Sequence, residues 1–126
     1  MVKEIIEKLQ LQPHPEGGFF KETYRSDGII PQEALPDFFE GSRHYSTCIY
    51  YMLQSGDFSA FHKIHQDEIW HFYLGSPIRL YLISEVGNLT EIIIGTDIAK
   101  GHALQFVVPK EHWFATTVTE QNSFSL

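Results

Sequence analysis

The sequence predicts an all-β barrel or sandwich preceded by one short helix. From residue 45 onward, short runs rich in β-branched and aromatic residues alternate with turn residues, as in an antiparallel meander. Near the start of the chain, apolar residues instead recur at helical spacing. At 126 residues the chain is long enough for one core and too short for two. We therefore expect a single domain over residues 1–126.

The helix is expected within residues 1–12, because Pro13 ends the helical pattern. Charged residues separate the apolar side chains that share one helical face, which are Val2, Ile5, Ile6 and Leu9. Residues 13–18, PHPEGG, have the composition of a tight turn. The turn alone accounts for them, although Glu16 is placed where it could reach over a pocket.

Strands are expected wherever apolar runs are bounded by turn residues. The first is FFKETYR, residues 19–25. Residues 26–43 contain two prolines and two glycines, which predicts a long surface excursion that could cover a pocket. The later strands are STCIYYML, FSAFHKI, EIWHFYL, IRLYLIS, TEIIIG, ALQFVVP and WFATTVT.

Composition excludes several classes of function. Nine lysines and arginines stand against sixteen acids, a net charge of −7, and no basic run is present to contact phosphates. Nucleic acid is therefore not an expected partner. No secretory signal and no membrane-spanning apolar run appears, which predicts a cytoplasmic protein without a membrane partner. The single cysteine, Cys48, cannot form an internal disulfide and is expected to be a buried apolar side chain.

The stretch GDFSAFHKIHQDEIWHFYLG, residues 56–75, contains three of the seven histidines, His62, His65 and His71. Side chains alternate between the two faces of a strand. On this rule Phe58, Ala60, His62 and Ile64 share one face, and Glu68, Trp70, Phe72 and Leu74 share one face of the next strand. If both sets face a cavity, His62 and Glu68 look inward together.

The same stretch resembles the first motif of the cupin superfamily. That motif has a glycine, two histidines, a glutamate and a second glycine at fixed spacing, and Gly56, His62, Glu68 and Gly75 match it while Ile64 replaces the second histidine. The second cupin motif aligns on PKEHWF. There Pro109 matches, Glu111 replaces a glycine and Phe114 replaces a histidine.

More closely, the chain resembles a small cupin branch that carries HPEGGFF and DEIWHF segments. This resemblance implies a jelly-roll barrel, a homodimer and a fold relationship to sugar-nucleotide epimerases. It also implies that relatives continue past Leu126, so that the C-terminal strands of the barrel are expected to be truncated. It implies little about function.

Three functions remain open. The first is a binding protein whose pocket holds a sugar-like or other small organic ligand without catalysis. Trp70, Phe72 and Trp113 would line it, and Arg25 would be an anion clamp.

The second is an isomerase or epimerase that works without a metal. A histidine beside a carboxylate can remove a proton next to a carbonyl. His62 would be the base, Glu68 its orienting partner, and Tyr24, Tyr51 or Tyr81 the acid on the other side.

The third is a metal-dependent cupin enzyme. Catalytic metal sites usually have three protein ligands, and only His62 and Glu68 remain of the cupin set. His112, which shares strand parity with the lost histidine, is the expected third ligand, with His71 a weaker candidate. No cofactor other than a divalent metal ion is suggested.

Overall fold

A computed structural model describes residues 1–126. It contains one α-helix, twelve strands and two 3₁₀ turns at Gln32–Ala34 and Ile98–Lys100. The α-helix and strands are α1 (Val2–Leu9), β1 (Gln12–Pro13), β2 (Phe19–Arg25), β3 (Ile29–Ile30), β4 (Arg43–His44), β5 (Thr47–Gln54), β6 (Phe58–Lys63), β7 (Glu68–His71), β8 (Ile78–Ile83), β9 (Leu89–Ile94), β10 (Gln105–Val108), β11 (Trp113–Val118) and β12 (Phe124–Ser125).

All paired strands are antiparallel. Two four-stranded sheets, β1-β2-β5-β12 and β6-β11-β8-β9, are accompanied by the two-stranded sheets β10-β7 and β3-β4. The predicted all-β jelly roll with a short N-terminal helix is confirmed. No helix of the chain is long and apolar enough to cross a membrane.

The core has two parts. The larger cluster fills the barrel and consists of Leu53, Ile78, Leu80, Ile94, Val108 and Phe114. The smaller one consists of Leu11, Met52, Phe124 and Leu126. The apolar face of α1 packs against the smaller cluster. The helix therefore closes one side of the sheet that carries β5, and the turn that follows it is held close to the barrel.

The predicted alternation in β6 is wrong at its beginning. β6 pairs His62 with Phe114 and Ser59 with Thr116, so that Ala60 and Phe61 together lie opposite Ala115. This two-against-one arrangement is a β-bulge. Because of the extra residue, the side chains of Phe58 and Ala60 are exposed, while Ser59 is buried. His62 stays on the inner side, as predicted.

The surface excursion at residues 26–43 returns to the barrel through aromatic contacts. The rings of Phe38 and His65 lie 4.5 Å apart, and His65 Nδ1 is 2.8 Å from Glu111 Oε1. The excursion thus contacts the β6–β7 turn at His65. Cys48, which was predicted to be buried, is exposed because it lies on the outer part of β5.

Candidate functional site

The turn that precedes β2 is fixed against β5 and β6. Gly17 and Gly18 have φ angles of 102° and 75°, which glycine adopts without strain. A Cβ atom on Gly17 would lie 2.7 Å from the Phe58 carbonyl oxygen, and one on Gly18 would clash with the Met52 carbonyl. The Tyr51 hydroxyl donates a hydrogen bond to the Gly17 carbonyl at 2.7 Å. This turn is therefore more than a link into β2, because its anchoring fixes the position of Glu16.

Glu16 contacts His62 directly. Its Oε2 atom lies 3.2 Å from His62 Nε2, while His62 Nδ1 lies 2.9 Å from the Ala60 carbonyl oxygen. Both ring nitrogens thus face oxygen acceptors, and the imidazolium form donates to both. The partner that orients His62 is Glu16, whereas the sequence predicted Glu68 in that role.

Glu68 is held by a different side chain. The Trp70 indole N–H donates to Glu68 Oε1 at 2.7 Å, so the two alternate residues of β7 are bonded to each other on the inner face. Burial raises the pKa of Glu68, and Glu16 raises it further, while the Trp70 hydrogen bond and the charge of His62 oppose this shift. His62 and Glu68 are therefore brought close enough to interact electrostatically, although they are not hydrogen-bonded to each other.

Tyr51 joins the same group of side chains from β5. Burial raises the pKa of Tyr51 to about 12, against a hydrogen bond with Ser59 that lowers it. The centroids of the Tyr51 and Trp70 rings lie 6.0 Å apart at an interplanar angle of 60°. Tyr51 is thus held protonated and acts as a hydrogen-bond donor.

We call Glu16, Tyr51, Ser59, His62, Glu68 and Trp70 the His62 cluster. It runs from solvent to core, since the side chain of Glu16 is 51% exposed, that of His62 is 25% exposed and Trp70 packs against the larger core cluster. Of the three tyrosines predicted as acids, only Tyr51 belongs to it. Tyr24 is exposed, and Tyr81 lies opposite Ala115 on β11 rather than Phe114.

Several predicted site residues lie elsewhere. Arg25 is bonded to Glu22 on an exposed part of β2. Trp113 is 46% exposed and contributes to a surface cleft of about 460 Å³ with Lys63 and Glu111. Phe72 packs against the larger core cluster. Another cleft of about 470 Å³, between Val2 and Ser123, is also separate from the His62 cluster.

The predicted metal ligands are not assembled. His112 Nδ1 contacts the carbonyl of Lys110, and no group of three or more His, Cys, Asp or Glu side chains lies close enough to hold a metal ion. At the position of the second-motif histidine, Phe114 places its ring centroid 4.2 Å from that of His62. The donor set His62, Glu68 and His112 therefore does not fit a divalent metal.

Sequence reasoning missed the role of Glu16, which lies 46 residues before His62 in the chain. The signal was the pair of glycines after it, since both adopt positive φ and the chain there approaches other backbone closely. Pairing between β2 and β5 places this turn beside the first residue of β6, where Gly17 approaches the Phe58 carbonyl.

The comparisons with known proteins agree with the fold. The model of the Cupin_5 family, described as Cupin superfamily (DUF985), matches residues 3–126. A hypothetical protein from Leishmania major superposes with a TM-score of 0.86 at 27% identity, covering 99% of this chain and 77% of that one. Protein SO0799 from Shewanella oneidensis superposes with a TM-score of 0.83 at 36% identity, covering 98% and 72%.

A curated relative, the uncharacterized protein YML079W from Saccharomyces cerevisiae, is 32% identical over 114 residues, which are 86% of this chain. The chain spans about half (56%) of the length of that relative. None of these names states an activity. The chain belongs to the Cupin_5 family of the cupin superfamily.

Proposed function

We propose that the chain binds a small organic molecule at the His62 cluster. The observation that carries this proposal is the environment of the Glu68 carboxylate. Its carboxylate is largely removed from water, its direct partner is the neutral Trp70 indole, and no lysine or arginine forms an ion pair with it. A carboxylate in this environment costs folding free energy, which is typical of functional sites.

The arrangement of the other side chains supports the same proposal. Four separate segments, namely the 14–18 turn, β5, β6 and β7, contribute polar groups to one region that opens to solvent at Glu16. Binding sites in small barrels combine a few convergent polar groups with aromatic walls in this manner.

The test is a fragment screen by NMR on a Trp113→Phe background, in which Trp70 gives the only indole N–H signal. We expect hydroxyl- and amine-bearing fragments to shift that signal, and His62→Ala and Trp70→Phe each to weaken binding of the fragments, the latter followed on backbone amides. Shifts confined to the clefts near Trp113 or Ser123, or no shift at all, would contradict the proposal.

The pairing of Glu16 with His62 favours one second candidate, which is proton transfer on a carbonyl compound. Neutral His62 can take a proton from carbon at Nε2 and return it once a substrate displaces the Glu16 carboxylate from that nitrogen. The test is deuterium incorporation next to the carbonyl when a panel of ketoses is incubated in D₂O. Incorporation that His62→Ala abolishes and His65→Ala preserves supports catalysis, while none with the wild type leaves a binding protein.

We further propose a homodimer. The supporting observation is an exposed apolar pair, Ile69 and Val107, which are cross-strand neighbours in the β7-β10 sheet. Analytical ultracentrifugation of the wild type and of Val107→Glu tests it. A monomeric wild type would contradict it, and so would a dimer that Val107→Glu does not weaken.

A further inference from the structure

The charges around the His62 cluster restrict the ligand that can enter it. We propose that the cluster selects a small organic cation, a protonated amine, whose ammonium group lies between the carboxylates of Glu16 and Glu68. This inference rests on the proposed function and names the chemical class of its ligand.

The first argument is an excess of negative charge. Two carboxylates belong to the cluster, and the only ion-pair partner of either is His62, at 3.2 Å from Glu16. The lysines and arginines that form ion pairs do so elsewhere, in Lys8–Glu4, Arg25–Glu22, Lys63–Glu111, Arg79–Glu91 and Lys100–Asp97. A ligand ammonium would supply the positive charge that Glu68 lacks, in a region of low dielectric where such a contact is strong.

The second argument is the aromatic wall beside the carboxylates. Trp70 stands edge-on to both Tyr51 and Phe114, with centroid distances of 6.0 and 6.4 Å. The Trp70 indole also fixes the Glu68 carboxylate through its N–H. An ammonium that contacts Glu68 therefore lies near aromatic rings, and ring faces attract cations.

The third argument is an unsatisfied hydroxyl deeper in the barrel. Thr116 is completely buried, and its Oγ1 atom has no hydrogen-bond partner. It is the cross-strand neighbour of Ser59, and it shares the inner face of β11 with Phe114. A buried hydroxyl without a partner is costly. An N–H or hydroxyl group of a ligand would remove this cost.

The same charges disfavour anionic ligands. A phosphate or carboxylate in the cluster would face Glu16 and Glu68 with no guanidinium to neutralise it, since Arg25 is bonded to Glu22. A nucleoside diphosphate is therefore not an expected ligand of this site.

The experiment compares three small aromatic probes of similar size and different charge: benzylammonium, benzyl alcohol and benzoate. Their dissociation constants are measured at pH 7.5 and low salt from the Trp70 indole N–H signal of the full chain carrying Trp113→Phe. We expect benzylammonium to bind about tenfold or more tightly than benzyl alcohol, as for a desolvated ion contact, and benzoate not to bind. Glu16→Gln and Glu68→Gln should each reduce this preference. Glu111→Gln, the same substitution at a carboxylate outside the cluster, should not.

The outcomes separate the two proposals. Equal binding of the alcohol and the amine, or tighter binding of benzoate, would overturn the cation assignment and leave the small-molecule site in place. A preference for the amine that persists in both Glu16→Gln and Glu68→Gln would also overturn it. No response of Trp70 to any probe would contradict both the cation assignment and the proposed function.

Discussion

The ring of Phe114 lies against the imidazole of His62, with 4.2 Å between their centroids, on strands that pair these two residues directly. In the cupin motif that the chain resembles, the position of Phe114 carries a histidine. One substitution thus removes a metal donor and supplies an apolar wall to the imidazole that remains.

Restoring the donors should create a metal site. The double variant Ile64→His with Phe114→His places histidines at both positions where the cupin motifs have them. We expect it to bind about one equivalent of Zn²⁺ or Ni²⁺ per chain, because three histidines and Glu68 complete a four-ligand set. Elemental mass spectrometry measures the bound metal. Glu68→Ala in the same background should lower the metal content, and an unchanged content would place the metal elsewhere.

Removing the hydroxyl of Tyr51 should loosen the 14–18 turn. In Tyr51→Phe the Gly17 carbonyl loses its hydrogen bond at 2.7 Å, which should lower the free energy of unfolding by about 1 kcal/mol. Urea unfolding measures this loss. Tyr50→Phe is the matched control, because Tyr50 lies on the same strand and its hydroxyl makes no hydrogen bond within the protein. Equal losses of unfolding free energy in the two variants would mean that the hydrogen bond to Gly17 contributes nothing to stability.

Introducing a side chain at Gly17 should lower the stability of the protein more than introducing one at Gly41. Both residues have positive φ, 102° and 86°, so alanine at either position pays a backbone penalty of roughly 1 kcal/mol. At Gly17 the added Cβ also meets the Phe58 carbonyl at 2.7 Å, whereas nothing lies near Gly41. We expect Gly17→Ala to lower the melting temperature further than Gly41→Ala and to weaken ligand binding. Similar melting temperatures would show that the turn can move away.

Replacing the buried carboxylate should stabilise the protein at neutral pH. Burial raises the pKa of Glu68, so the folded state retains this proton to higher pH than the unfolded state does. Stability is therefore lost as pH rises from the unfolded pKa through the raised folded one. Glu68→Gln, which keeps an acceptor for Trp70, should raise the free energy of unfolding by about 1 kcal/mol at pH 7 and change it less at pH 4. A stabilisation that is larger at pH 4 would contradict this reasoning.

The sequence predicted the strands better than it predicted the site. The bounds of β2 and the inward positions of His62, Glu68 and Trp70 followed from alternation alone, because these residues lie in regular stretches of strand. Alternation failed at Phe58 and Ala60, since a bulge is a tertiary adjustment without a residue signature of its own. The two glycines after Glu16 indicated a close approach of the backbone, but the sequence did not identify His62 as the partner of Glu16, because that contact depends on how β2 and β5 pair. Arg25 and Trp113 were chosen for their chemistry, and only the three-dimensional structure shows which faces they occupy.

The bulge in β6 also has a consequence for the evolution of chain length. Ala60 and Phe61 both point outward, between inward-facing Ser59 and His62. Deleting one of them would restore an ordinary alternation while both inner residues keep their places. A chain that lacks one of them would therefore keep the same interior, and an alignment with such a chain should open a gap there rather than shift Ser59 to the outer face.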